Sequence, residues 1–256
     1  MAHRTFVFGD LHGDLAALRR ALARMPRPDA DDRLVFLGDY LDRGPDSRGV
    51  VAFVREVLPR HTEAQIVTLR GNHEDSWLRV VDGEWPDFVL PPGNGCLQCY
   101  QSYTGQAVSL VGAEPSDEVL AAMLRADFFP ADVVAWMRAL PCWFEDEHAI
   151  YVHAGLPEDG RGGYVHPRDA VAVPKLRRAL LWLRDERFFR DYRGKTVVVG
   201  HTVTKTLPPE LSDFTPEDPT DLWAGPAVFG LDTGAGKRGF LTVLELPSGR
   251  VYESRE

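Results

Sequence analysis

The sequence predicts an α/β fold, and three observations predict it. Short apolar runs recur along the chain, helix-patterned stretches separate them, and the runs end in residues that carry chemistry. Thr5-Phe6-Val7-Phe8 ends in Gly9-Asp10-Leu11-His12-Gly13. Arg33-Leu34-Val35-Phe36-Leu37 ends in Gly38-Asp39-Tyr40-Leu41-Asp42-Arg43-Gly44, and Gln65-Ile66-Val67-Thr68-Leu69 ends in Arg70-Gly71-Asn72-His73-Glu74. Asp10, Asp39 and Arg70 stand about 30 residues apart, the length that one strand-helix-strand unit needs.

The elements follow in order. Leu15, Leu18, Leu22 and Met25 recur at helical spacing, Asp14 is placed to cap that helix, and Pro26 and Pro28 end it. A second helix is expected from about Ser47 to Leu58, burying Val50, Val51, Phe53, Val54 and Val57. Residues 82–105 read as a long loop punctuated by glycine and proline. Trp85, Phe88, Tyr100 and Tyr103 make it a packed cap that either lines a substrate groove or only seals itself. Helices near Ser116–Phe128 and Ala131–Leu140 complete an insertion over about 82–140.

The apolar runs then resume. Ala149-Ile150-Tyr151-Val152 leads to His153-Ala154-Gly155, and a single helix is expected from about Pro174 to Tyr192. Thr196-Val197-Val198-Val199 leads to Gly200-His201-Thr202. A Pro-rich connection over about 204–226, with Pro208, Pro209, Pro216, Pro219 and Pro226, precedes Ala227-Val228-Phe229 and Asp232. Phe240–Leu246 and Arg250–Tyr252 close the chain as a hairpin. No repeat or boundary divides residues 1–256, which read as one domain.

Composition narrows the function. Hydrophobic and charged shares of 44% and 26% are ordinary for a globular enzyme. A net charge of −9 argues against a nucleic-acid surface, which needs clustered Lys and Arg. No apolar run approaches the ~20 residues of a membrane span, and no signal peptide opens the chain. Cys96, Cys99 and Cys142 form no disulfide framework, and the Cys96-x-x-Cys99 pair reads as loop thiols rather than a zinc site. A cytoplasmic location is expected.

Asp10, His12, Asp39, Asn72, His153 and His201 all follow apolar runs. In open α/β sheets ligands gather beyond the carboxyl ends of the strands, so these side chains can converge across nearly 200 positions. Imidazole, carboxylate and amide oxygen together suit borderline divalent ions. Six ligands exceed what one catalytic ion with open positions needs and fit two ions sharing a carboxylate. Asp39, central in the order, is the expected bridge.

The motifs Gly-Asp-Leu-His-Gly (9–13), Gly-Asp-Tyr-Leu-Asp-Arg-Gly (38–44) and Arg-Gly-Asn-His-Glu (70–74), with His153-Ala-Gly and Gly-His201-Thr, resemble the phosphoprotein phosphatase family of metallophosphoesterases. The compact bacterial and phage serine/threonine phosphatases are the nearest in pattern. The resemblance runs from Thr5 to about Leu246. It implies a four-layer αββα sandwich, two mixed sheets flanked by helices. It assigns Asp10, His12 and Asp39 to one metal, and Asp39, Asn72, His153 and His201 to the other. His73 matches the catalytic histidine and Asp42 the carboxylate beside it. Arg43 and Arg70 match phosphate-binding arginines, Arg184 in Trp182-Leu183-Arg184 a further one, and Asp232 a supporting carboxylate.

What the resemblance implies is hydrolysis of a phosphorylated protein or small phosphoester by a hydroxide bridging two divalent ions, Mn ahead of Fe or Zn. Guanidinium forks match equatorial phosphoryl oxygens, and an imidazolium paired with a carboxylate can protonate the leaving oxygen. The rival is a symmetrical dinucleoside tetraphosphate hydrolase, whose second motif lacks the pair seen here as Asp42-Arg43. A metal-bearing scaffold without turnover predicts erosion of His73, Asp42 or the arginines, and all are present. Glu74 is either an assistant at the site or a helix-start carboxylate.

Overall fold

The computed structural model describes residues 3–214 and 217–255. Pro216, one of the prolines expected to punctuate the 204–226 connection, lies outside the described residues. In chain order the first half runs β1 (Thr5–Phe8), α1 (Leu15–Arg24), β2 (Arg33–Phe36), α2 (Ser47–Ala52), β3 (Gln65–Thr68) and α3 (Asn72–Val81). The insertion holds α4 (Cys96–Thr104), α5 (Asp117–Arg125) and α6 (Ala131–Ala139). Then come β4 (Trp143–Glu145), β5 (Ile150–Val152), α7 (Pro167–Ala170), α8 (Pro174–Trp182), α9 (Glu186–Asp191) and β6 (Val197–Val199). The chain ends in β7 (Trp223–Ala224), β8 (Val228–Gly230), β9 (Thr242–Leu246) and β10 (Arg250–Glu253).

Two five-stranded mixed sheets result, in the orders β10-β9-β1-β2-β3 and β4-β5-β6-β8-β7. β1, β2 and β3 are parallel, and β9 returns antiparallel to β1. β5, β6 and β8 are parallel, and β4 and β7 pair antiparallel at the edges. Strand alternation sorts the side chains. Phe6, Phe8, Leu34 and Phe36 pack on the helices of the first half, whereas Val7 and Val35 meet Tyr151 and Val198 of the other sheet. The outer face of the second sheet packs Val197 and Val199 on Leu180, Phe188 and Phe189. Full burial of each such side chain stabilises by about 1.5–3 kcal/mol. The expected helix-sheet-sheet-helix layering is present, and it points the parallel strands of both sheets at one edge.

The expected caps and stops hold for α1, where the Asp14 side chain accepts the Ala17 N–H and the helix ends at Arg24, before Pro26. Three expectations are corrected. The Ser47–Leu58 helix becomes α2, a wide π turn at Phe53–Val57 and a tight turn at Leu58–Arg60. That wide turn rotates the face, so Val54 stays buried while Val57 is 37% exposed rather than buried. The single helix expected over 174–192 is two, because Leu183 turns extended and Asp185 starts α9 by accepting the Arg187 N–H. Cys96 and Cys99 lie on buried α4 and not in a loop; its buried face includes Cys and Gln98, so hydrophobic periodicity could not reveal it. β4 and β7, at three and two residues, are too short for alternation to show.

The aromatics of the insertion seal it. Trp77 of α3 is fully buried, with the rings of Phe88, Phe128 and Phe129 at 5.9, 5.4 and 5.1 Å. Tyr103 stacks edge-on at 4.9 Å from Phe129. No helix of the described residues is long and apolar enough to cross a membrane.

Candidate metal centre

The parallel strands of both sheets end beside one another, and their next residues form the site. Asp10 and His12 follow β1, Asp39 follows β2, Asn72 and His73 open α3 after β3, His153 follows β5 and His201 follows β6. All seven are buried, none above 4% exposed. His12, Asp39 and His73 form one group able to hold a cation, and Asp39, His153 and His201 form another. Asp39 belongs to both, the place expected of a bridge.

The loops that present these groups are bent out of ordinary backbone. His12, Asp39, Asp42, Arg43 and His201 all have positive φ, between 39° and 71°. Such conformations cost an L-residue roughly 1–2 kcal/mol and persist where surroundings hold them. Glu74 does much of the holding. Its fully buried carboxylate accepts N–H groups from Asp39, Tyr40, Leu41 and Gly71 at 2.9–3.3 Å. Glu74 is therefore the organiser of the Asp39 loop, a larger part than either sequence expectation gave it. Burial beside the Asp39 charge pushes it up to about 8, while its N–H donors pull the other way.

Asp10 stitches the two sheets at this edge. Both its oxygens accept the His201 N–H at 3.1 Å. A Cβ at Gly200 would lie 2.0 Å from Asp10 Oδ1, so only glycine admits that approach.

The hydrogen bonds also fix where lone pairs point. His12 Nδ1 donates to Leu41 O and His153 Nδ1 to Leu37 O, each at 2.9 Å. That leaves each Nε2 unprotonated. His12 Nε2 faces Asp39 Oδ2 at 3.4 Å and Asp10 Oδ2 at 3.7 Å. His153 Nε2 faces Asn72 Oδ1 at 2.9 Å and Asp39 Oδ1 at 3.5 Å, and His201 Nδ1 reaches the same Asn72 oxygen at 2.8 Å. At His153 an acceptor thus crowds against the Asn72 and Asp39 oxygens in a buried place, an arrangement that a cation resolves. His201 Nε2 and Asp232 Oδ2 are buried without partners. The donor set fits divalent ions of borderline softness.

Electrostatics agree with that fit. Burial, reinforced by Arg43, keeps His12 well below the usual imidazole value, and burial lowers His153 and His201 too. Neutral imidazole is the ligating form. Burial raises Asp39, but His153, His73, His12 and Arg43 outweigh it and hold the group below the usual carboxylate range. Asp10 is raised by burial and by the charges of Asp232 and Asp39, a repulsion that bound cations would relieve.

His73 stands at the rim of this cluster. Its Nδ1 donates to Asp42 Oδ2 at 2.5 Å, and Asp42 also accepts the indole N–H of Trp77 at 2.8 Å. Its Nε2 lies 3.9 Å from Asp39 Oδ2, and the edge of Phe88 packs on its ring. The guanidinium of Arg43 lies against His12 Nε2. Arg70 is turned toward the insertion, donating to Arg138 O at 2.7 Å with Asp75 3.7 Å away. Arg184 sits in the break between α8 and α9, not on a helix face, and its charge contributes to lowering His201. Lys237 was not anticipated. It feels Arg43, Asp232, Arg184 and Asp10, and only its place in the glycine-rich stretch after Asp232 could have marked it.

Known proteins resemble this chain. The chain is 29% identical over 152 residues to a symmetrical bis(5'-nucleosyl)-tetraphosphatase of Methylococcus capsulatus, covering 59% of this chain and 43% of that protein. It is 39% identical over 73 residues to serine/threonine-protein phosphatase 1 of Salmonella typhimurium, covering 28% of this chain and 31% of that one. The chain thus spans less than half the length of these curated relatives. Its fold resembles a crystal structure described as a putative diadenosine tetraphosphatase, with a TM-score of 0.59 and 22% identity over 98% of this chain and 92% of that one. It also resembles a cold-active protein-tyrosine phosphatase of a Shewanella species, with a TM-score of 0.57 and 17% identity over 98% and 80%. Residues 3–205 match the family described as calcineurin-like phosphoesterase, and the chain belongs to that family.

Proposed function

We propose that the protein is a dinuclear-metal-dependent phosphoester hydrolase, acting on phosphomonoesters in the manner of a serine/threonine protein phosphatase. The observation that carries this is the crowding of the unprotonated His12 and His153 nitrogens, the His201 ring, the Asn72 oxygen and the Asp10 carboxylate around Asp39. Asp10, His12 and Asp39 would hold one ion, and Asp39, Asn72, His153 and His201 the other, with Mn the first expectation. When bound, the two ions polarise phosphoryl oxygens and make solvent a nucleophile near neutral pH.

The remaining work falls to side chains of this chain. His73 gives its Nε2 proton to the departing ester oxygen, and Asp42 on Nδ1 orients the ring. Arg43 and Arg184 bind phosphoryl oxygens bidentately, with Arg70 at the far side. Phe88 and Trp77 keep water from the His73–Asp42 pair. We read the chain as one catalytic domain, with the 82–140 insertion as a cap and 204–226 as a loop beside it. Three free cysteines are in keeping with a reducing compartment such as the cytoplasm.

The second reading, a symmetrical dinucleoside tetraphosphate hydrolase, is favoured by relatives so named that align over 59% of the chain. The Asp42–His73 pair favours the first. Purified protein supplied with Mn, Fe or Zn is expected to hydrolyse p-nitrophenyl phosphate and a phosphoserine peptide. A strong preference for diadenosine tetraphosphate would select the second reading. Intact p-nitrophenyl phosphate with every metal would remove both.

A further inference from the structure

A groove of about 1040 Å³ opens beside the metal centre, and apart from Arg43 its lining is used by none of the chemistry above. Its inner end is part of the centre. Arg43 lines it, and so does Gly236, whose Cβ position lies 2.2 Å from His12 O. Two unlike groups of side chains line the rest of it. Lys205, Lys237 and Arg238 are basic and all exposed. Val108, Leu110 and Val111 are aliphatic, and Leu110 is 88% exposed.

The charge of this groove is opposite to that of the chain. No Asp or Glu lines it among the described residues, although the protein carries a net charge of −9. A fourth lining cation, Arg255, is already matched by Asp218 at 2.9 Å and Asp221 at 3.1 Å. Lys205, Lys237 and Arg238 are in no ion pair among the described residues. Cations gathered outside ion pairs at the mouth of an anion-handling site raise the local concentration of anions.

Shape decides which anion. An extended peptide sends alternate side chains to opposite sides, so one edge can meet the cations while the other meets Leu110 and Val111. A nucleobase would want an open aromatic face, and the groove offers none. Phe240 is its lone aromatic side chain among the described residues, and it is buried and covered by the Arg255 guanidinium at 3.8 Å.

We propose that this groove binds the residues flanking the phosphorylated position of a peptide substrate, with acidic side chains on Lys237 and Arg238 and apolar ones on Leu110 and Val111. This rests on the phosphomonoesterase reading and names its substrate class, an acidic phosphopeptide. Two part-exposed charge pairs supply a discrimination of about tenfold.

The test is a binding measurement on the whole chain, by fluorescence anisotropy. One labelled phosphoserine peptide carries Asp beside the phosphoserine, and its twin carries Ala. The acidic peptide is expected to bind about tenfold tighter at low salt, with the margin shrinking as salt rises. In Lys237→Glu/Arg238→Glu the margin should vanish or invert. Lys237→Ala/Arg238→Ala is a milder second variant, and Leu110→Asp should weaken both peptides. Equal affinity for the two peptides in the wild-type protein would overturn the inference. So would displacement of the acidic peptide by diadenosine tetraphosphate at lower concentration than by unlabelled peptide. Turnover of p-nitrophenyl phosphate in the same preparation reports on the hydrolase reading alone, so failure of the groove and failure of the centre are told apart.

Discussion

The two sheets bring different things to the shared edge. The first supplies Asp10, His12, Asp39, Asn72 and His73 on loops with four non-glycine residues at positive φ, the Asp39 loop tied down by Glu74. The second supplies His153 and His201, with positive φ at His201 alone. The strained loops and the His73–Asp42 pair are thus concentrated in the first sheet, and the second adds two imidazoles to a frame already made. Preorganisation of this kind is what a transition state rewards, because the cost of ordering is met on folding.

Substitutions can break or sharpen that asymmetry. The largest effect is expected from Asp39→Ala, which removes the one carboxylate common to both groups of ligands. Metal content should fall from two ions toward none, read by elemental analysis, and turnover should be lost. Retention of both ions would mean that the second sheet holds its own. Next comes His73→Ala, which should keep both ions and lower kcat by about 10²–10⁴-fold. A near-normal rate would take His73 out of the reaction.

Glu74→Ala should act on the frame rather than the chemistry. Four N–H groups lose their acceptor, and a loss of about 3 kcal/mol in urea unfolding is expected, with Glu74→Gln milder. If stability is unchanged, the strained loop is held by something else. The smallest effect concerns the second sheet. Burial puts the folded pKa of His201 below its unfolded value of about 6.5. Its contribution is therefore fully present above that pH and is lost as pH falls toward the folded value. Relative to His201→Gln, the metal-free wild-type protein should lose up to about 1.4 kcal/mol per pH unit below about 6.5. Parallel pH curves would show that His201 is not held neutral.

The first half of the chain is legible because its units are regular. A strand, a turn and a helix repeat about every 30 residues, and each strand end carries Asp, Asn or His where a bare turn would not demand it. Asp14 as a cap, the three parallel strands and the meeting of Asp10, His12, Asp39, Asn72, His153 and His201 could all be read from that. The unread parts have physical reasons. α4 buries the consecutive Cys96, Leu97, Gln98 and Cys99 together with Tyr103, and that unbroken buried run blurs the i, i+3, i+4 spacing that marks a helix in the sequence. The break at Leu183 leaves apolar spacing nearly intact and is made by a single extended residue. Glu74 looks like any helix-start carboxylate until the Asp39 loop folds over it. Lys237 is invisible because its neighbours come from β1, β2 and the segment after α8.

Trp77 has a further consequence. Its indole N–H is bonded to Asp42 while its ring is gripped by Phe88, Phe128 and Phe129 of the insertion. One side chain therefore joins the packing of the insertion to the carboxylate that holds His73. A change in how the insertion seats arrives at that carboxylate as an altered donor.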